Sequence, residues 1–272
     1  MSNGLNISLK SYDSIFQSEE QRNTEEIKPV PISELKPFTE QPFKVKLDED
    51  MDALVESIKQ CGVLTPVIAR PHKDGGYEIL SGHRRVKACE LAGITDIPVV
   101  VKNLDDDTAT ILLVDSNLQR EHILPSEKAF AYQMKLEAMK RKAGRPSKEN
   151  PRQIVGNLES ADILGQDTGE SGRQIQRYIR LTNLIDPILD MVDNNQIAMN
   201  AAVEISYLSS KEQAAVMQSI EKEETSPSIA QARKMRKFHQ EGNLSNAVID
   251  SIMMEQKPET VKITLGEEKL KK

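Results

Sequence analysis

The 272-residue chain carries 36 Lys and Arg against 42 Asp and Glu, a formal charge of −6, with 38% hydrophobic residues, ten Met and no Trp. That length favours two domains with short flanking tails, and the scarcity of aromatics, at 4%, favours helices packed with Leu, Ile, Met and Ala over a β-sandwich. No run approaches the ~18 apolar residues of a membrane span, and the N-terminus lacks a signal-peptide layout. A cytoplasmic protein is therefore expected. The acidic balance argues against indiscriminate nucleic-acid binding, although recognition depends on where charge lies rather than on its sum.

Residues 1–28 are largely polar and charged, and Leu5, Leu9, Tyr12 and Phe16 are spaced to fall on one face of a short helix. This reads as a flexible tail, either one that docks a partner through that face or one with no role of its own. Asp48–Cys61 reads as a helix with Leu54, Ile58 and Cys61 inward and Gly62 as its stop. Val67–Arg70 and Tyr77–Leu80 are β-prone and are joined by Lys73-Asp74-Gly75-Gly76, a strong hairpin signal. Gly82–Gly93 is helical, Ile97–Val101 a strand and Asp105–Leu118 a helix, which together make an α+β domain of about one hundred residues.

Beyond Pro125 the pattern turns all-helical. Ser126–Lys142 is a long helix, a polar segment with Gly144, Pro146 and Pro151 follows, and helices resume to about residue 222. After Ser226-Pro227-Ser228 come a charged helix, Ile229–Glu241, a shorter one near Ala247–Met254, and a strand-like Val261–Leu265. Cys61 and Cys89, both in predicted helices, lack zinc-site spacing and are expected to be buried packing residues. Between Lys135 and Arg152, Lys135, Lys140, Arg141, Lys142, Arg145, Lys148 and Arg152 face only Glu137 and Glu149. An acidic chain with such a basic segment is expected to bind nucleic acid there.

Two constellations carry chemistry. In Tyr77-Glu78-Ile79-Leu80-Ser81-Gly82-His83-Arg84-Arg85 a strand runs through glycine into a helix start bearing two arginines. Unpaired helix-start N–H groups, a glycine that admits close approach and guanidinium donors make an anion site suited to phosphate, though two arginines on a first turn also suit a solvated face. Asn117, Gln119 and Arg120 end the last helix of the same domain; Arg120 is a candidate for a triphosphate and Asn117 for a metal-bound water or a phosphate oxygen. No P-loop occurs in the sequence.

The second constellation is Ser160–Leu184. Gly165, Gly169 and Ile175 meet the demands of a helix-turn-helix for close approach, a tight turn and a buried anchor. Ser171 is a candidate cap for the second helix, leaving Gly172, Arg173, Gln174, Gln176, Arg177 and Arg180 on its exposed surface. Arg and Gln are the side chains that read guanine and adenine edges in the major groove. An ordinary helical hairpin with a polar face is the bland alternative.

On these residues the chain resembles the ParB partition family over roughly residues 29–225. Gly82-His83-Arg84-Arg85 is similar to the family's Gly-x-Arg-Arg phosphate motif, Gly62-Val63-Leu64-Thr65-Pro66 to the loop before its first nucleotide-contacting strand, and Asn117-Leu118-Gln119-Arg120 to its third motif. The resemblance implies an α+β ParB/sulfiredoxin-like domain followed by an all-α helix-turn-helix domain. It implies CTP and Mg2+ held by Thr65, Ser81, Gly82, His83, Arg84, Arg85, Asn117, Gln119 and Arg120, with Asn117 nearest the metal. For DNA it implies a palindromic, centromere-like site read by Lys142, Arg145, Ser171, Arg173, Gln174, Gln176, Arg177 and Arg180, with nucleotide closing a dimeric clamp.

The implied organisation is a tail at 1–28 for a ParA-type ATPase, a nucleotide domain at 29–122, a DNA-binding domain at 123–225 and a linker with an incomplete C-terminal segment at 226–272. Three features depart from the family pattern. Ser116 stands where members that hydrolyse CTP carry Glu, so a weak CTPase activity is left open. His83 stands where Glu is common, and the family's C-terminal dimerisation domain is missing or abbreviated. A nucleoid-occlusion or transcription-regulating role uses the same domains. In the wider ParB/sulfiredoxin fold a kinase stays open, whereas the cysteine-dependent reductase is excluded by the absence of a thiol in Ser81-Gly82-His83-Arg84.

Overall fold

The computed structural model describes residues 27–39, 41–120, 122–142, 161–165 and 168–255. The apolar face from Leu5 to Phe16, the basic residues Arg145, Lys148 and Arg152, and the strand-like Val261–Leu265 lie outside the described residues. Two units emerge: an α+β unit (residues 1–123 and 130–173) and a helical unit (residues 124–129 and 174–272). Among the described residues no helix is long and apolar enough to cross a membrane.

The α+β unit is built on a five-stranded sheet. Its strands are β1 (Ile27–Pro31), β2 (Leu35–Lys36), β3 (Val67–Pro71), β4 (Tyr77–Ser81) and β5 (Asp96–Val101), in the order β1-β5-β3-β4-β2. The β3–β4 hairpin is antiparallel and closes through Gly75 and Gly76, both at positive φ, as the Asp-Gly-Gly signal requires. The alternation of β4 serves both sheet faces. Ile79 joins a cluster with Met51, Val55 and Val86, whereas Leu80 joins Phe38, Ala109 and Leu113.

Helices α1 (Glu49–Cys61) and α2 (His83–Ala92) therefore supply one core, and α3 (Asp106–Leu118) the other. Asp48 and Asp105 cap α1 and α3, accepting from Met51 N and Thr108 N, and three acidic residues follow Asp48 in the first turn, where the helix dipole favours them. The inward face of α1 differs from the expectation. Met51, Val55 and Ile58 are buried, Leu54 is only half-buried and Cys61 is exposed. Burial follows the i, i+4, i+7 stripe that starts at Met51, and Cys61, the last residue of the helix, lies off that stripe.

Helix α4 (Pro125–Lys142) is followed by helical residues 161–165, here α5, and by α6 (Gly172–Arg180). The remaining helices are α7 (Asp186–Asp193), α8 (Met199–Ile205), α9 (Ser210–Glu223), α10 (Ile229–Gln240) and α11 (Asn246–Met254). The core of the helical unit gathers Leu181, Ile188, Ile205 and Val216 with Ala232, Met235, Ile249 and Ile252.

This changes two boundaries. Residues 229–254 are part of the packed helical unit rather than a linker, because α10 and α11 bury an apolar stripe in its core. Gln231 ties them together, its amide donating to the carbonyls of Ile252 and Met253 at 2.9 and 3.2 Å. The domain change expected at 122/123 is not a single break: a second division falls inside α4, whose residues from Phe130 onward group with the α+β unit. Ala131 and Met134 pack there against Val114 and Phe43, and Lys135, buried at 2% exposure, pairs with Asp115.

Under the sheet, Glu78, 4% exposed, accepts from Arg70, which also bonds Asp106 and lies over the Phe38 ring. Replacing Arg70 by Met strands a buried carboxylate, and urea titration of Arg70→Met is expected to show a loss of about 3–5 kcal/mol. Adding Glu78→Met to it should recover most of that loss; a double variant as unstable as the single would contradict the pairing.

Candidate functional sites

In the α+β unit, β4 leads through Gly82 into α2. Gly82 sits at φ 105°, ψ 20°, and a Cβ there would come within 3.1 Å of Val67 Cγ2 and 3.2 Å of Arg85 Cζ. Only glycine passes this corner without strain. The turn delivers the first-turn amides of α2, which have no intrahelical acceptor, to one end of the sheet. A register shift between Ile68 and Ala69, opposite Ser81 and Ile79, marks the same edge.

The two arginines act differently. Arg85 curls back, and its Nη1 donates to the carbonyls of Thr65 and Pro66, the latter at 2.6 Å. It shapes the Gly62–Pro66 loop, on which Thr65 and Leu64 are exposed. Arg84 is part-exposed and reaches Asp48 Oδ1 at 3.1 Å. That hydrogen bond is the main reason the Asp48 carboxyl is held below the usual carboxylate range, with the backbone N–H of Met51 adding to it. Asp48 thus caps α1 and holds Arg84 at once. Sequence reading began the helix at Asp48 but did not show this pairing, which joins residues 36 apart.

His83 turns inward. It is 6% exposed, its Nε2 is buried without a hydrogen-bond partner, and burial, aided by the nearby charge of Arg120, lowers its pKa to about 4. Arg120 lies over the Phe43 ring at 5.5 Å. Asn117 is also buried, at 3% exposure, with Nδ2 donating to Leu113 O at 2.8 Å, while the hydroxyl of Ser116 bonds the same carbonyl. Ser81 is half-buried at the strand end and Gln119 exposed just past α3.

These residues fit an anion: a glycine corner, a helix start and a part-exposed guanidinium converge. They do not by themselves make a metal centre. Among the described residues no group of three or more His, Cys, Asp or Glu is placed to hold a metal ion, and Asn117 directs its amide into its own helix.

The helix-turn-helix keeps the glycines that its packing needs. A Cβ on Gly165 would lie 2.2 Å from the carbonyl oxygen of Glu170, and one on Gly172 would strike Asp162 Oδ1 at 2.1 Å. Gly172 is accordingly buried instead of exposed, and Ile175 is the buried anchor expected of it. Ser171 and Arg173 are exposed, and Gln176 and Arg177 are part-exposed. Two expected readers turn onto the helical unit: Gln174 Nε2 reaches Met199 Sδ at 3.7 Å, and Arg180 Nη2 donates to Ser206 O at 2.9 Å.

The basic segment is likewise partly engaged within the α+β unit. Arg141 pairs with Asp107 and Lys142 donates to Thr108 Oγ1, besides the buried Lys135. Helix α10, by contrast, carries Arg233, Lys234, Arg236 and Lys237 with no acidic residue, and Arg233 and Lys237 are mostly exposed. The charge of this helix was legible in the sequence, but its membership of the folded unit was not.

An α+β domain with an anion-type corner, followed along the chain by a helix-turn-helix and further helices, defines the class of protein. Residues 16–118 match the ParB N-terminal domain and residues 158–252 the ParB HTH domain. The chain belongs to the ParB family. It is 30% identical over 194 residues to the nucleoid occlusion protein of Geobacillus sp. (strain WCH70), covering 71% of this chain and 62% of that protein. It is 41% identical over 108 residues to the chromosome-partitioning protein Spo0J of Thermus thermophilus, covering 40% of each. The matched stretches thus span about half the length of these relatives.

Two crystal structures of the C-terminally truncated chromosome-partitioning protein ParB from Caulobacter crescentus are similar to it. The one complexed to the centromeric parS site is 23% identical, with a TM-score of 0.45 over 83% of this chain and 98% of that one. The one complexed with CTP-γ-S is 27% identical, with a TM-score of 0.33 over 71% and 98%.

The buried neutral His83 makes stability depend on pH. Its folded pKa lies below the unfolded value, so its contribution is present above about pH 6.5 and is lost as pH falls towards 4. Urea titrations should show a loss of about 2 kcal/mol between pH 7 and pH 5 that His83→Gln abolishes. An unchanged pH dependence in His83→Gln would place the titrating group elsewhere.

Proposed function

We propose that this chain is a site-specific DNA-binding protein of DNA partition, whose α+β domain binds CTP and whose helix-turn-helix reads a palindromic site. The observation that carries the reading is the pairing, in one chain, of the Gly82–Arg84 anion corner with a helix that presents Arg173, Gln176 and Arg177 outward.

A triphosphate entering the corner meets the first-turn amides of α2 and displaces Asp48 from Arg84. Arg85 holds the loop that flanks the ligand, and Thr65, Ser81, Gln119 and Arg120 complete the candidate set. Magnesium would enter chiefly on phosphate and water, as that ion usually does, with Asn117 the nearest candidate from the protein. Nucleotide would gate a dimeric clamp on DNA, and residues 1–28 would dock a ParA-type ATPase. Ser116 supplies no carboxylate at the third motif, so binding rather than turnover is the role proposed for CTP. The same modules serve a nucleoid-occlusion role, which the similarity to the Geobacillus protein favours as the second reading.

Titration calorimetry with CTP and magnesium tests the corner. Wild type should bind, and Arg84→Ala should lose about tenfold or more in affinity, the usual worth of a charge-assisted hydrogen bond. No binding by wild type, with or without DNA, would leave a plain helix-turn-helix protein.

For DNA, Arg173→Ala with Arg177→Ala should remove the preference for a duplex selected from a random pool, at about 1–3 kcal/mol per base contact. Retention of full preference by that double variant would refute the recognition-helix assignment.

A further inference from the structure

Arg180 ends the helix proposed to read DNA, yet its guanidinium is engaged inside the helical unit. Nη2 donates to Ser206 O, which caps the end of α8, and Nε is buried without an acceptor. Its face lies 4.0 Å from the centroid of the Tyr207 ring. On the same ring, at 3.5 Å, lies Arg236 from α10. Two like charges tolerate this arrangement because the ring's π-density attracts each, and because Glu204 neutralises Arg236 at 2.8 Å while also reaching Arg233.

The other end of α6 is fixed on the same helix, through Gln174 on Met199. Gln174 and Arg180 lie about 9 Å apart along the axis at 1.5 Å per residue. A swing of about 10° at one anchor displaces the other end by about 1.6 Å over that length. Side chains that read base edges tolerate misplacement of only about 0.5 Å. An anchor at the far end of the helix therefore decides whether Arg173, Gln176 and Arg177 arrive in register.

We propose that the stack of Arg180, Tyr207 and Arg236 is a positioning element that sets the pitch of the recognition helix, so that Tyr207 governs sequence discrimination without touching DNA. The inference rests on the DNA-reading role assigned to α6. It makes Arg180 a positioning residue and not a phosphate or base contact.

The test uses the full chain, a duplex selected from a random pool by the wild type, and a scrambled duplex, with affinities measured over a range of salt. Tyr207→Phe, which keeps the ring, should retain the wild-type ratio of the two affinities. Tyr207→Leu, which keeps apolar bulk but offers no π-face, should lower that ratio about tenfold while leaving the scrambled-duplex affinity and the salt slope unchanged. Arg180→Met should do the same. A full ratio in Tyr207→Leu overturns the proposal. So does a salt slope in Arg180→Met that falls by about one, the mark of a lost phosphate contact.

Should Tyr207→Leu fail to give the wild-type circular dichroism, Arg236→Met loosens the stack from the opposite face. A severalfold fall in the ratio then supports the proposal, and an unchanged ratio overturns it. If the wild type shows no preference between selected and scrambled duplexes, it is the DNA-reading role that fails, and the positioning role falls with it.

Discussion

The donation from Arg85 to the carbonyls of Thr65 and Pro66 is the constraint on which the α+β unit's candidate site depends. It stitches the loop that enters β3 to the helix that leaves β4, so that two separate segments end at one place. The bond is available only because Gly82 turns the chain at a positive φ with no Cβ to press on Val67 and Arg85. Without that corner the start of α2 would point elsewhere, and Arg84 would have no reason to face Asp48. A guanidinium suits this position because it reaches both carbonyls and keeps its charge when partly buried, although that burial does push its pKa down.

Neighbouring residues of one motif thus have unlike roles. Arg85 builds the wall and Arg84 lies part-exposed at the candidate corner against Asp48, while His83 points into the interior as a neutral ring. A side chain at the motif's variable position is therefore judged here by whether it survives burial. His83 survives by giving up its proton, which is the least costly response of a titratable group to a low-dielectric site.

Much of this was legible because it is local. The Asp-Gly-Gly turn, the helix starts at Asp48 and Asp105 and the Gly62 stop all depend on residues a few positions apart, and the structure has them where their chemistry requires. What escaped depends on distant partners. Strands β1 and β2 lie at the sheet edges, one interrupted by Pro29 and Pro31 and the other only two residues long, so neither presents a periodic signal. Arg180 looked like a DNA reader because helical spacing says which face a residue shares and not what covers that face. Its cover, Ser206 and then Tyr207, arrives from 26 residues downstream and beyond. The same blindness set α10 and α11 aside as a linker, since a short charged helix reveals its burial only when its core is known.

The two cysteines occupy opposite environments, one exposed at the last residue of α1 and one buried in α2, where burial raises its thiol pKa. A thiol reagent therefore finds a single quick target, Cys61, only four residues before Thr65 on the flanking loop. The unaltered sequence provides an attachment point for a dye or spin label beside the candidate phosphate corner, so loop movement on ligand addition can be watched without first engineering a cysteine into the protein.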